Sequence, residues 1–359
     1  MKRISYFVLL VFLLSSCSKN IQSARHERKP KNIILLIGDG MGLPQVYAAM
    51  SVKKETLNIE QAQFIGLSKT YSANNYITDS GAGGTAIACG VKTNNGYIGV
   101  DPQKKPVKSI LEYAEDNGLA TGLVVTSSVT HATPASFIAH QYSRYLDEKI
   151  AYDFLKTDID VFIGGGKKFF MDRKDHLNLI DSLKARKYQI SYSIDEARNI
   201  TSGKLACLTA DEHNKTFAEG RGEMLVQSTQ TALNILSRNS KGFFMMVEGS
   251  MIDWGGHAND IDYVTSELID FDNAVGAALE FARKDGNTLV IVTADHETGG
   301  LSLVNDSITH KPIKNFSTKD HSAVMVPVYA FGPGAEKFAG IYQNIAIFEK
   351  MFDLYGFKK

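Results

Sequence analysis

The chain has 359 residues, 39 basic and 39 acidic, with 44% hydrophobic residues and only 3 cysteines. That length can bury a full core, as one large α/β domain or as two smaller ones. The balanced charge gives no reason to propose nucleic acid or a basic membrane patch as a partner, and so few cysteines exclude a disulfide framework.

Lys2 and Arg3 precede an apolar run over residues 4–14, too short to span a membrane and suited to the core of a signal peptide. Leu14-Ser15-Ser16-Cys17 then resembles a bacterial lipobox, so residues 1–16 read as a lipoprotein signal peptide whose cleavage leaves a lipid on Cys17. An ordinary signal peptide with an incidental cysteine is the alternative. The expectation is an exported protein, lipid-anchored in the bacterial envelope, in the periplasm or at the outer membrane. Residues 17–30 read as a flexible tether and residues 31–359 as a single α/β domain. Cys89 and Cys207 remain, and nothing local brings them together.

Residues 32–37 form a continuous apolar run of strand length, the pattern of a strand buried on both faces. They lead into Gly38-Asp39-Gly40, where a parallel sheet normally carries its chemistry. A second strand is expected over residues 64–71, before Thr78-Asp79-Ser80 and a run of small residues that reads as a helix. Asp79 and Ser80 suit its N-cap, and the first helical turn offers unpaired N–H groups to an anion. Residues 108–117 read as a helix stopped at Gly118, and residues 120–126 as a strand. His131-Ala132-Thr133-Pro134-Ala135 follows as a strand-end loop, then a helix over residues 136–146 carrying Arg144.

Residues 160–163 read as a strand, and the polar stretch 167–221, with His176 and His213, as a surface insertion without metal spacing. An amphipathic helix is expected over residues 222–238 and a buried strand over residues 243–247. That strand delivers Glu248, then Asp253 and His257 four apart; Gly255 and Gly256 leave a helical turn and a tight loop both open. A long helix over residues 263–284 precedes a strand at residues 288–293, which ends in Ala294-Asp295-His296. His321 enters just before a last strand at residues 326–330. Mixed imidazole and carboxylate donors suit zinc, while carboxylate with hydroxyl suits magnesium.

Taken together, Gly38-Asp39-Gly40, Thr78-Asp79-Ser80, residues 131–135, Glu248 through Asp253 to His257, Thr293-Ala294-Asp295-His296 and His321 resemble the alkaline phosphatase family. They occur in the family's order over nearly all of the chain beyond the leader, and the match is nearest to the compact bacterial type. The resemblance implies a large, mostly parallel central sheet with helices on both faces. It implies hydrolysis of small phosphate monoesters with Ser80 as nucleophile, a phosphoserine intermediate, and Arg144 gripping the phosphoryl oxygens. One zinc ion would be held by Asp253, His257 and His321, and a second by Asp39, Asp295 and His296. A magnesium ion would be held by Asp39, Thr133 and Glu248.

His131 stands where some bacterial members carry an acidic residue, and Trp254 where some carry Lys. Both are expected behind the third metal's ligands, so zinc in place of magnesium is open there. The stretch at residues 300–320 reads as a shortened form of an insertion found in larger members. A homodimer is also implied. A phosphodiesterase of the same superfamily and a non-catalytic metal-binding lipoprotein are the competing readings.

Overall fold

The computed structural model describes residues 29–305 and 312–358, so the signal peptide, Cys17 and most of the tether lie outside the described residues. Fourteen strands occur among the described residues. They are β1 (Asn32–Gly38), β2 (Phe64–Lys69), β3 (Ala120–Ser128), β4 (Val161–Gly165), β5 (Tyr188–Ser191), β6 (Lys204–Leu208) and β7 (Phe243–Gly249). The rest are β8 (Thr288–Thr293), β9 (Glu297–Thr298), β10 (Leu301–Asn305), β11 (Pro312–Phe316), β12 (His321–Ser322), β13 (Val326–Phe331) and β14 (Gly340–Gln343). Ten of them form one sheet in the order β14-β2-β13-β8-β1-β7-β3-β4-β6-β5. It is parallel except at β13, which runs antiparallel to β2 and β8.

Every residue of β1 is buried, which is why the strand reads as an unbroken apolar run rather than an alternating one. Its side chains alternate between two cores. Ile33, Leu35 and Ile37 pack with the helices Ser80–Cys89, Ile110–Asp116 and Ile345–Tyr355. Ile34 and Leu36 pack on the other face with the helices Leu43–Val52, Met224–Leu236 and Ile261–Asp285. Burying each such aliphatic side chain contributes about 1.5–3 kcal/mol, so this central strand is anchored from both sides.

Three readings of the sequence are corrected. Residues 167–221 are not a surface excursion: they supply β5 and β6, which extend the central sheet and bury Leu205, Ala206 and Cys207. Residues 136–146 are not a helix. Backbone pairing between Ile98 and Gln141, at 2.9 and 2.8 Å, and the bond from Arg144 N to Gly96 O, at 2.7 Å, draw that segment out as an extended loop. The strand at residues 326–331 is not the last, because β14 follows and pairs parallel with β2. Cys89 and Cys207 are both buried and form no disulfide among the described residues. No helix among the described residues is long and apolar enough to cross a membrane.

The register sets the site. Ile37 on β1 lies beside Glu248 on β7 and Thr293 on β8, and Val125 on β3 is level with Glu248. Asp39, Asp295 and the segments after β3 and β7 therefore leave the sheet at one carboxyl edge.

Candidate active site

Ser80 opens the helix Ser80–Cys89 as its first residue, and Asp79 is the N-cap. One Asp79 oxygen accepts from Ala82 N at 2.9 Å; the other accepts from Gly96 N at 3.0 Å and from the Arg144 guanidinium at 3.0 Å. The whole helix is buried, and its small residues allow that. A Cβ on Gly83 would lie 3.0 Å from the Asp295 carbonyl oxygen. Ser80 Oγ is 3.3 Å from His296 Nε2 and 3.5 Å from Arg144 NH1. Arg144 is thus held by Asp79 in front of the serine, and its other terminal nitrogen donates to His131 Nε2 at 3.2 Å.

Asp39, Asp295 and His296 form one group beside the serine. His296 Nε2 is 3.4 Å from Asp39 Oδ1 and 3.4 Å from Asp295 Oδ2. All three side chains are buried. Gly40, at a φ of 72°, turns the chain there; a Cβ would sit 2.7 Å from the Asp253 Cα.

Asp253, His257 and His321 form a second group. Asp253 and His257 share one face of the helix Ile252–Ala258, so the helical alternative holds despite Gly255 and Gly256. His257 Nε2 lies 3.4 Å and His321 Nε2 3.5 Å from Asp253 oxygens. The opposite nitrogens are anchored: His257 Nδ1 donates to Lys319 O at 2.5 Å and His321 Nδ1 to Thr78 O at 2.8 Å. A carbonyl only accepts, so in the neutral rings both Nε2 atoms carry lone pairs. Those two atoms are 3.2 Å apart.

The third group is Asp39, His131 and Glu248, with one donor atom from each lying within 4.8 Å of the others. His131 therefore stands level with the carboxylates, nearer than the supporting position expected of it. Thr133 is buried in the same strand-end segment. Trp254 meets His131 edge to face at 6.3 Å between ring centres, and it meets His213 at 4.9 Å. His213 also accepts from Ser128 N at 3.0 Å. It is a site neighbour that the sequence did not reveal, since its approach is purely tertiary.

These residues fit cations. Among the described residues, both Asp39 oxygens, Asp295 Oδ2, Glu248 Oε1, Thr133 Oγ1 and His131 Nδ1 are buried with no hydrogen-bond partner. Each unsatisfied buried group costs about 1–3 kcal/mol, and charged ones more. Buried carboxylates are normally paired or hold a metal, so a resident cation accounts for this cluster. The carboxyl groups respond as crowded, unneutralised acids. Burial, then Asp253 and Glu248, pushes Asp295 to about 8. Burial pushes Glu248 to about 7, and burial with Asp295 raises Asp39. Burial works the same way on Asp253, but His257, His296 and His321 outweigh it and hold that carboxylate below its ordinary range. Burial, then Arg144 and His213, lowers His131 to about 3, which leaves its ring neutral.

Thr298 carries no signal in the sequence either. Its hydroxyl donates to Asp253 Oδ1 and lies 3.2 Å from His296 Nδ1, so it links the first two groups.

A buried serine facing an arginine and three acid–imidazole groups, on the carboxyl edge of a parallel sheet, defines a metal-dependent hydrolase. Comparison with known proteins gives the family. The alkaline phosphatase family model matches residues 30–316. Alkaline phosphatase 3 of Bacillus subtilis is 40% identical over 90% of this chain and 74% of its own length. The structure of alkaline phosphatase from the Antarctic bacterium TAB5 superposes with a TM-score of 0.88 at 45% identity, covering 92% of this chain and 99% of that one. A His-to-Asp variant of that enzyme is described with Mg bound in the M3 site. The chain belongs to the alkaline phosphatase family, metal-dependent enzymes that hydrolyse small phosphate monoesters.

Proposed function

We propose that the chain hydrolyses phosphate monoesters in two steps, through a phosphoserine on Ser80, with two zinc ions and one magnesium ion. Asp253, His257 and His321 would hold one zinc, and Asp39, Asp295 and His296 the other. Asp39, Thr133 and Glu248 would hold magnesium, with His131 close enough to join them and to admit zinc instead. When bound, these ions stabilise charge on the attacking and departing oxygens and favour the serine alkoxide.

The observation that carries the reading is Ser80 Oγ at 3.3 Å from His296 Nε2 and 3.5 Å from Arg144 NH1. In the first step Ser80 Oγ gives up its proton to solvent and bonds to phosphorus, the ester P–O bond breaks, and the departing oxygen takes a proton from solvent to leave as the alcohol. Arg144 grips nonbridging oxygens and Asp79 keeps its guanidinium in place, so the phosphoryl group is oriented as the bond order changes. The partial positive charge at the helix N-terminus favours the same anion. In the second step water displaces Ser80 from phosphorus, restoring the hydroxyl and releasing inorganic phosphate. An arginine aimed at the serine favours a monoester over a diester, which has fewer charged oxygens to grip.

The test is acid quenching of zinc- and magnesium-loaded protein during turnover of a labelled phosphate monoester. Label on the peptide containing Ser80 is expected. Phosphate release with no label there, or no release at all, overturns the reading. Export, the lipid on Cys17, an envelope location and a homodimer are proposed alongside it; the lipobox-like residues 14–17 support the first three and family resemblance the last. The mass of the mature N-terminal peptide tests the lipid.

A further inference from the structure

We propose that Glu297 is a positioning residue that fastens together the three chain segments carrying Asp39, His296 and His321. Glu297 is fully buried. A carboxylate removed from water needs donors, and this one has four. Oε1 accepts from Gln45 Nε2 at 2.6 Å and from Leu301 N at 3.0 Å. Oε2 accepts from Gly300 N at 3.1 Å and from the Ser322 hydroxyl.

The donors come from the site's own segments. Gln45 lies on the helix Leu43–Val52, entered directly from the turn that carries Asp39. Glu297 itself follows His296. Ser322 follows His321, and the two-residue strands β9 and β12 pair Ser322 with Glu297 and His321 with Thr298. Gln45 Nε2 also donates to Thr298 O at 2.8 Å, which doubles the link. The backbone leaves room for this convergence: a Cβ on Gly42 would lie 2.3 Å from Glu297 Cγ.

The need for such a fastener follows from strand length. A pairing of two residues on each side is far shorter than the about 5–6 residues of an ordinary strand and does not hold its register unaided. Yet the rings delivered by these segments are closely set. His296 and His321 stack at 3.6 Å between centres with 18° between planes. Glu297 supplies through side-chain bonds the cohesion that the short ladder lacks, and so couples the geometry of one zinc group to the other.

This inference rests on the zinc assignment above, and the experiment separates the two. Zinc affinity is measured by chelator competition, and ligand geometry by the visible spectrum of the cobalt-loaded protein, for wild type, Glu297→Gln and Ser322→Ala. Wild type that binds no zinc defeats the assignment itself. With wild type binding, both variants are expected to weaken zinc and to shift the cobalt bands, Glu297→Gln by about 10- to 100-fold and Ser322→Ala by less but at least about threefold. Should Glu297→Gln fail to fold, Ser322→Ala decides alone. Folded variants that bind zinc within about threefold of wild type, or keep its cobalt spectrum, overturn the inference.

Discussion

The Nε2 atoms of His257 and His321 face each other at 3.2 Å, while both Nδ1 atoms are committed to backbone carbonyls. In two neutral rings the facing lone pairs would repel at that distance. Without a metal, the hydrogen bond to Asp253 favours a proton on His257, pulling it to about 9, and a zinc ion would take that proton's place. The Lys319 and Thr78 carbonyls fix which nitrogen each ring presents, so the pair is built ahead of the ion it would hold.

Ser80→Ala is expected to lower kcat by at least about 100-fold with zinc content unchanged, because the substitution removes the proposed nucleophile and no proposed ligand. Steady-state kinetics with parallel metal analysis checks this. Full activity in the variant would locate the nucleophile elsewhere.

Arg144→Ala should lower kcat/KM by about 10- to 100-fold, the range for losing a charge-assisted hydrogen bond of about 1.5–3 kcal/mol. Asp79→Ala releases the same guanidinium, held at 3.0 Å, and removes a helix N-cap. It should therefore change both KM for phosphate esters and the melting midpoint, the latter through a cap worth about 1 kcal/mol.

Metal-free protein should lose stability as pH rises from about 6.5 to about 8. In the folded state Asp295 is raised to about 8 and His257 to about 9, from ordinary values of 3.8 and 6.5. Both groups therefore bind protons more tightly folded than unfolded, and that stabilisation is lost as pH climbs through the window. Below pH 6.5 the lowered His131 and His296 act in the opposite sense, so the window is bounded there. Melting midpoints of chelator-treated protein should fall by a few degrees across it, while metal-loaded protein stays level. A flat metal-free profile would contradict the assignment of uncompensated acids.

Gly83→Ala sets a new Cβ 3.0 Å from Asp295 O and 3.1 Å from Asp295 Cβ. Alanine favours the helix by up to about 1 kcal/mol, which offsets part of the crowding. The expected result is a nearly unchanged melting midpoint with a clear fall in kcat, since Ser80 and Asp295 are pushed apart.

Much of this was legible from residues alone, for a physical reason. Buried parallel strands are apolar runs, so β1, β7 and β8 announce themselves, and Asp39, Glu248 and Asp295 stand at or just beyond their ends. The Ser80 helix was visible through its cap and small residues. The Arg144 loop reads as a helix because its own residues tolerate one, while the pairing of Gln141 with Ile98 that extends it comes from elsewhere in the chain. β5 and β6, reading YQIS and KLACL, are hidden by their short length within an otherwise polar stretch. Thr298, Glu297 and His213 gave no local signal, because each matters only through what folding brings beside it.

The most direct test of the central claim is a crystal structure of zinc-loaded protein with anomalous scattering recorded at the zinc edge. Two zinc peaks are predicted, one bounded by Asp253, His257 and His321 and the other by Asp39, Asp295 and His296, with Ser80 Oγ at the second. Peaks elsewhere, or none at these residues, would contradict the account.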